Sequence, residues 1–483
     1  MSGLICAWIT TGLLFLVGAT SAAGSRESLA PTFRAGAASS NITPALGTKV
    51  RLGALESYPI SAVHDDWFAR CLILDDGTTR IAFVSCDLMA IDREVADEAK
   101  RQIEKVTRMP PSAVVISAVH THAPNDDSDV QAPLTLTTLD AYHQFLAQRI
   151  ADAVQRAVQN LTPARVGWGH GRLPGYVHNR RWFTRSVEDR KNPYGGIDQV
   201  RMNPPSGPAQ LIEPAGPVDP GIPFFAVQTA EGRPLALMAN YSLHYVGGVN
   251  SPGEVSADYF GYFADSIQRL LGADRLEPAF VGMLTNGASA DIISLDWRLP
   301  RVRQKPYERM KVVANEVAAE VYRAFQNVTF QSWARLGIAY RELPLATRRP
   351  SPEVAARSRQ ILAAPTTTSP THARERSYAA KALAMAELPD ETRFSLYAIR
   401  IGDLAIFTLP VETFVEIGLE LKQRSAFPTT MVIGLANGYF GYLPTPRQHE
   451  LGGYETWLGT SRVEPRASEK VVATLLEMQE GLR

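Results

Sequence analysis

The chain lacks an excess of charge of either sign. Its 49 Lys and Arg balance 49 Asp and Glu, for a formal net charge of +0. That balance excludes a basic face able to hold nucleic acid and gives no electrostatic pull toward an anionic membrane. Cysteine is scarce, with 3 in 483 residues. A disulfide framework is therefore excluded, and stability must come from a core, which 45% hydrophobic residues can supply. Cys6 lies in the N-terminal segment. Cys71 and Cys86 flank the turn Asp75-Asp76-Gly77 in a register that does not face them, so two free, buried thiols are expected. Beyond the N-terminus no segment is long and apolar enough to span a bilayer. Internal repeats are absent. Gly247-Gly248 and Asn286-Gly287 read as turns, not as phosphate-cradling loops.

What is present begins with an export signal. Leu13-Leu14-Phe15-Leu16-Val17 forms an apolar core, and Ala19-Thr20-Ser21-Ala22-Ala23 offers small residues for cleavage. Residues 1–23 are read as a signal peptide, which implies a secreted or periplasmic protein. The stretch before the core carries no Lys or Arg, which leaves an uncleaved anchor as the alternative.

The rest reads as α/β. Arg70–Leu74 and Ile81–Ser85 have strand character. Asp92–Val106 has helical character with Asp92 as N-cap, and Ala113–Ala118 is a β-branched run. Strand, helix and strand in this order suggest a βαβ unit. Asp140–Asn160 reads as a helix with Phe145, Ile150, Val154 and Val158 on one face. Residues 203–223, rich in Pro and Gly, read as a loop, and residues 224–244 as a hairpin turning at Glu231-Gly232. Helices are expected over 259–271, 307–325, 413–424 and 468–482, with strands over 404–409 and 430–435. Residues 348–390 change to Ala, Ser, Thr and charge, and read as a helical excursion or lid. The expected architecture is layered mixed β-sheets flanked by helices, a single large catalytic domain over residues 30–483.

Chemistry gathers at strand ends, where open sheets place their ligands. The β-branched run ends in His120-Thr121-His122. Two imidazoles there can both bind a metal, or one can bind while the other handles protons; a hydrogen-bonded pair is the plain alternative. His244 follows the next hairpin, Glu412 follows Leu404–Pro410, and Tyr442 follows Val432–Leu435 through a loop. Two imidazoles, a carboxylate and a phenol suit a zinc shell with one position open for water. Asp87 can orient a ligand or cap a helix. Asp258 and Asp291 can support zinc-bound histidines or serve as turn residues. His64, His143, His170, His178, His372 and His449 read as non-ligands.

At these residues the chain resembles the neutral (alkaline, non-lysosomal) ceramidases. The likeness runs through Ala118-Val119-His120-Thr121-His122, Asn179-Arg180-Arg181, Asn240-Tyr241-Ser242-Leu243-His244 with Ser256-Ala257-Asp258, Pro410-Val411-Glu412, Asn437-Gly438-Tyr439-Phe440-Gly441-Tyr442 and Tyr454-Glu455. The motifs occur in order across nearly the whole mature chain. The resemblance implies zinc bound by His120, His244, Glu412 and Tyr442, His122 as proton handler, and Arg180 and Tyr454 as contacts to the substrate carbonyl. It implies hydrolysis of the amide bond of a ceramide-like lipid. A zinc ester or acyl hydrolase on a non-ceramide substrate, or a non-catalytic lipid- or glycan-binding relative, are the alternatives.

Three departures stand out. The family's Gly-Asp-x-Ser-Pro appears as Ala290-Asp291-Ile292-Ile293-Ser294, with Ile293 at the serine position and Ser289 and Ser294 to either side. Ala123-Pro124-Asn125-Asp126-Asp127 replaces Ser-Gly-Pro after the histidine pair. The family's further C-terminal immunoglobulin-like domain has no counterpart after Tyr454-Glu455, which resembles a shorter ceramidase-like branch. The expected partner is a small-molecule or lipid acyl substrate.

Overall fold

In the computed structural model the described residues are 1–4, 7–8, 32–52, 55–124, 134–302 and 304–483. The chain divides into Met1–Pro31 and Thr32–Arg483. Most of the first unit, including Cys6 and the expected signal core, lies outside the described residues, as do Asn125, Asp126 and Asp127.

The βαβ unit forms as expected. Strand Arg80–Cys86 leads through helix Arg93–Thr107 to strand Val114–Ala118, and the two strands pair in parallel. Their side chains are buried almost throughout, as expected of parallel strands covered on both faces. They form one edge of an eight-stranded sheet. Across that sheet the order is Val281–Asn286, Pro234–Tyr241, Gly221–Thr229, Thr162–Arg172, Arg34–Asn41, Phe68–Asp75, Arg80–Cys86 and Val114–Ala118. Only the pairings at the two edges are parallel. A four-stranded sheet runs Leu336–Ala346, Glu391–Ile401, Leu404–Thr408 and Thr429–Ile433.

The two sheets pack face to face. Phe83, Val115, Phe225, Met238 and Met283 of the large sheet share one apolar core with Tyr397, Ile399, Ile406, Met431 and Ile433 of the small one. Helices Arg93–Thr107 and Ala141–Gln159 pack on the outer face of the large sheet. Helices Asp258–Leu270 and Glu308–Phe325 cover another part of it. Helices Val415–Arg424 and Ala467–Glu480 cover the small sheet. The layered α/β architecture is as expected. Cys71 and Cys86 are free and buried.

Two expectations change. Phe145 is 41% exposed, while Tyr142, Leu146, Ile150 and Val154 are buried. At 3.6 residues per turn, residue 145 sits well off the line through 150 and 154, whereas residue 146 falls on it. The presumed loop 203–223 contains a short strand, Leu211–Pro214, which pairs with Arg181–Thr184. The excursion is helical, as Pro352–Ala363 and Glu375–Glu387. Among the described residues no helix is long and apolar enough to cross a membrane.

Candidate metal centre

The site forms where strand ends from both sheets are tied together. The Asn286 side chain donates to Val119 O at 3.1 Å, joining the ends of the large sheet's two edge strands. Ala118 N donates to Leu435 O at 3.0 Å. Asn437 donates its backbone N–H to Ile116 O and accepts from Ile116 N through Oδ1 at 3.1 Å. These bonds join the edge strand to the loop that leads to Tyr442. Glu412 and Tyr442 are direct partners in a short parallel ladder, Glu412–Thr413 with Tyr442–Leu443, so their side chains rise side by side.

His120 holds a positive φ of 79°, in the region L residues rarely adopt. That turn sends its ring back into the protein. Its Nδ1 lies 2.7 Å from Met89 O, which makes Nδ1 the N–H and leaves the Nε2 lone pair free. The Nε2 atom is 3.1 Å from His244 Nε2, 3.2 Å from His122 Nε2 and 3.3 Å from Glu412 Oε2. His244 Nε2 is 3.8 Å from the same carboxylate oxygen. Tetrahedral zinc with bonds of about 2.0–2.1 Å separates its ligand atoms by roughly 3.3 Å, so these spacings fit a bound ion. Among the described residues Glu412 Oε2 is buried with no hydrogen-bond partner. An orphaned carboxylate oxygen facing the Nε2 atoms of His120 and His244 is the donor set a cation satisfies. The other oxygen, Oε1, accepts from Tyr439 OH at 2.9 Å.

Burial and neighbouring cationic groups hold His122 and His244 well below the usual imidazole range, so both are neutral near pH 7. Neutral imidazole is the form that binds metal or accepts a proton. Although burial alone would raise its pKa, Glu412 is held below the usual carboxylate range by His120, Tyr442 and Arg180. Tyr442 is pushed well up, chiefly by burial.

The remaining expected site residues border this cluster. Arg180 Nη2 donates to Tyr442 OH at 3.1 Å, and Nη1 lies 3.5 Å from His244 Nε2. Glu455 fixes Arg180 by accepting from its Nε at 3.1 Å and also accepts from Arg181 at 2.6 Å. The Tyr454 ring stands edge-on to that of Tyr442, with centroids 5.8 Å apart. A cavity of about 300 Å³ is lined by Tyr454, Arg374, His372 and Arg201. His122 borders a small apolar recess with Val50, Leu52, Trp67 and Pro124.

The supporting residues sort themselves. Asp258 accepts from the backbone of Val246 and Gly247 and so pins the turn after His244. Asp291 accepts from Asn179 Nδ2 and Val415 N, while its carbonyl accepts from Arg180 N, which fixes the backbone at Arg180. Asp87 accepts from Phe68 N and pairs with Arg70, away from the histidines. Ser289 bonds Asn286, and its carbonyl lies 3.3 Å from His244 Nδ1. Ser294 accepts from Arg309 Nε at 3.2 Å.

Tyr245 escaped sequence reasoning. Its ring stacks on His122 at 3.7 Å and 17°. Its only sequence signal is its place next to His244. Tyr439 and Glu455 lie inside quoted motifs but have no role there beyond the pattern.

Comparison with known proteins identifies the family and the fold. Residues 33–294, more than half of the 483, match the family model for the neutral/alkaline non-lysosomal ceramidase N-terminal region. Neutral ceramidase from Pseudomonas aeruginosa aligns with 94% of this chain and 74% of its own, at TM-score 0.65 and 17% identity. A ceramidase complexed with C2 covers 94% and 75%, at TM-score 0.68 and 16% identity. The curated proteins searched contain no significant match. Motifs, fold and family model converge, and the chain belongs to the neutral/alkaline non-lysosomal ceramidase family.

Proposed function

We propose that this chain is an exported zinc-dependent hydrolase that cleaves the amide bond of a ceramide-like N-acyl compound. The observation that carries this reading is the unpartnered Glu412 Oε2 facing His120 and His244 within a buried cluster. His120, His244, Glu412 and Tyr442 would hold the ion. Bound zinc supplies an acidified water and an electrophile for the carbonyl.

The chain's own groups do the rest. His122, neutral at pH 7 and stacked on Tyr245, would take a proton and pass it to the leaving amine. Arg180, locked by Glu455 and with its charge favoured by Tyr442 and acidic neighbours, would hold the substrate carbonyl together with Tyr454. The 348–390 excursion would act as a lid: its Arg374 lies over the Tyr454 ring at 5.2 Å. Residues 30–483 would form one catalytic domain, and the N-terminal apolar core would direct export.

One observation favours a non-ceramide substrate on the same machinery. Ile293 stands at the family's serine position, and the adjacent Ser294 hydroxyl is engaged by Arg309. Zinc analysis of the purified protein beside turnover of fluorescent ceramide and a panel of N-acyl compounds tests the reading. One zinc per chain with hydrolysis of any panel member supports it, and zinc-loaded protein inert on all of them overturns it. Mass spectrometry of the mature N-terminus tests export.

A further inference from the structure

Two cavities have wall residues two positions in the chain from His244 and Arg180, and neither is used by the chemistry above. The first, about 650 Å³, is lined by Val246–Val249, Gln304, Lys305, Tyr307 and Arg309. The second, about 540 Å³, is lined by Tyr176, His178, Ser294, Leu295, Arg301 and Arg309 among others. Both fall in the size range of ligand pockets, and both use Val302, Gln304 and Arg309 as walls. Their walls include residues close in the chain to those of the site. Val246 is two residues beyond His244, and His178 two before Arg180, which is at most about 7 Å of chain in each case. Ser294 directly follows Ile293, whose strand pairs with His178–Asn179.

The charge of this lining is one-sided. Arg301, Lys305 and Arg309 have no carboxylate partner among the described residues. Arg309 spends Nε and Nη2 on Ser294 and leaves Nη1 without a partner there. Partial burial pulls its pKa down, and only Tyr176 opposes that. Arg301 lies over the Trp297 ring at 4.9 Å. The one carboxylate in the lining, Asp296, is already held by Arg298 at 2.8 and 2.9 Å. A half-buried guanidinium with a spare donor and two further cations at the rim is an anion-recognition arrangement.

We propose that the substrate of this enzyme carries an anionic headgroup, a carboxylate, sulfonate or phosphate, which seats against Arg309 with Arg301 and Lys305 at the rim. This rests on the acyl-hydrolase reading and narrows its substrate class. Because Val246 follows His244 by two residues, the wall of the larger cavity starts within about 7 Å of chain from the metal centre. It also gives the Ile293 departure a consequence. The family's serine position is apolar, and the residue after it positions an arginine.

The test compares the zinc-loaded enzyme on N-dodecanoylglycine and on its neutral isostere N-dodecanoylglycinamide. The wild type is expected to prefer the carboxylate by about tenfold or more in kcat/KM. In R301E/K305E, checked for folding by melting temperature, the ratio of the two should fall to about one or invert. Equal rates on both substrates in the wild type, or an unchanged ratio in the variant, overturn the proposal. Calorimetric binding of octylphosphonate, which cannot be hydrolysed, separates this inference from the activity itself. Binding lost in R301E/K305E, with neither acyl compound turned over, means that the hydrolase reading fails and the anion site stands. Equal binding by wild type and variant places the phosphonate elsewhere and overturns the site. Inorganic phosphate bound as tightly as octylphosphonate, with no preference between the acyl compounds, makes it a site for free anions and overturns the substrate assignment.

Discussion

His120 and His122 are two residues apart yet differ in what holds them. His120 is fixed by a bond from Nδ1 to Met89 O and by its left-handed backbone. His122 is fixed by stacking on Tyr245, which directs the ring, and its nitrogens make no backbone bond among the described residues. The expected consequence is a split. His120→Ala should lose zinc and activity together. His122→Ala should retain zinc through His120, His244 and Glu412 and lose about two to four decades of kcat. Elemental analysis beside kinetics reads both. The Nε2 of His122 is close enough to that of His120 to serve as a ligand. Loss of zinc from His122→Ala would therefore move it into the ligand set. Ser294→Ala should be mild by comparison, because its hydroxyl serves Arg309 and not the metal cluster. A loss from Ser294→Ala matching that of His122→Ala would give the hydroxyl a part in the reaction.

Helix Arg93–Thr107 carries a feature that its sequence pattern hides. Lys100 is buried, with Nζ 2.9 Å from Tyr397 OH and, among the described residues, no carboxylate bonded to it. Burial pulls its pKa from 10.5 down to about 7. Below pH 7 the lysine is charged in both states, and the folded protein bears the full cost of burying that charge. Between pH 7 and about 10 the unfolded chain binds a proton that the folded chain has released, so this group makes stability rise with pH. Lys100→Met should therefore raise the melting temperature at pH 6, by an effect on the order of a few kcal/mol, and the gain should shrink toward pH 10. Melting curves of both proteins at pH 6 and pH 9.5 decide it; a gain independent of pH would mean that the lysine is never buried as a cation. Nothing in the sequence marked Lys100, because a helix has only a few facing positions and the tertiary partner decides which polar residue is covered. The same limit explains Phe145. The apolar spacing puts it on the face of Ile150 and Val154, but the facing stripe runs through Leu146 and Ile150. By contrast, β-branched runs such as Val114–Ile116 were legible as buried strands, since a strand covered on both faces needs no periodicity.

At the scale of the whole molecule, the candidate site gathers groups from segments far apart in the chain: His120, Arg180, His244, Glu412 and Tyr442. The sequence offers these residues because each follows a strand or sits in a recognisable motif. It cannot offer Tyr245 or the bond from Asn286 to Val119, which depend on how the large sheet brings its strand ends together, nor the bond from Asn437 to Ile116, which depends on the two sheets packing face to face. That convergence has a thermodynamic consequence. Without a cation, Glu412 Oε2 is a buried acceptor with no partner among the described residues, which costs roughly 1–3 kcal/mol. An ion there would satisfy the oxygen and tie strand ends of both sheets to one point. Because binding requires the assembled cluster, it stabilises the folded state by mass action, by about 2.7 kcal/mol at a free ion concentration a hundred times Kd. Protein stripped with a chelator should melt a few degrees below the same protein after zinc is restored, and the increment should grow with zinc concentration. His120→Ala and Glu412→Gln should each abolish the increment, because each removes a group the ion must touch. Magnesium, which prefers six oxygen ligands, should not reproduce it at similar concentrations. A melting temperature indifferent to zinc in the wild type, or an increment surviving in both variants, would show that these strand ends do not hold the ion.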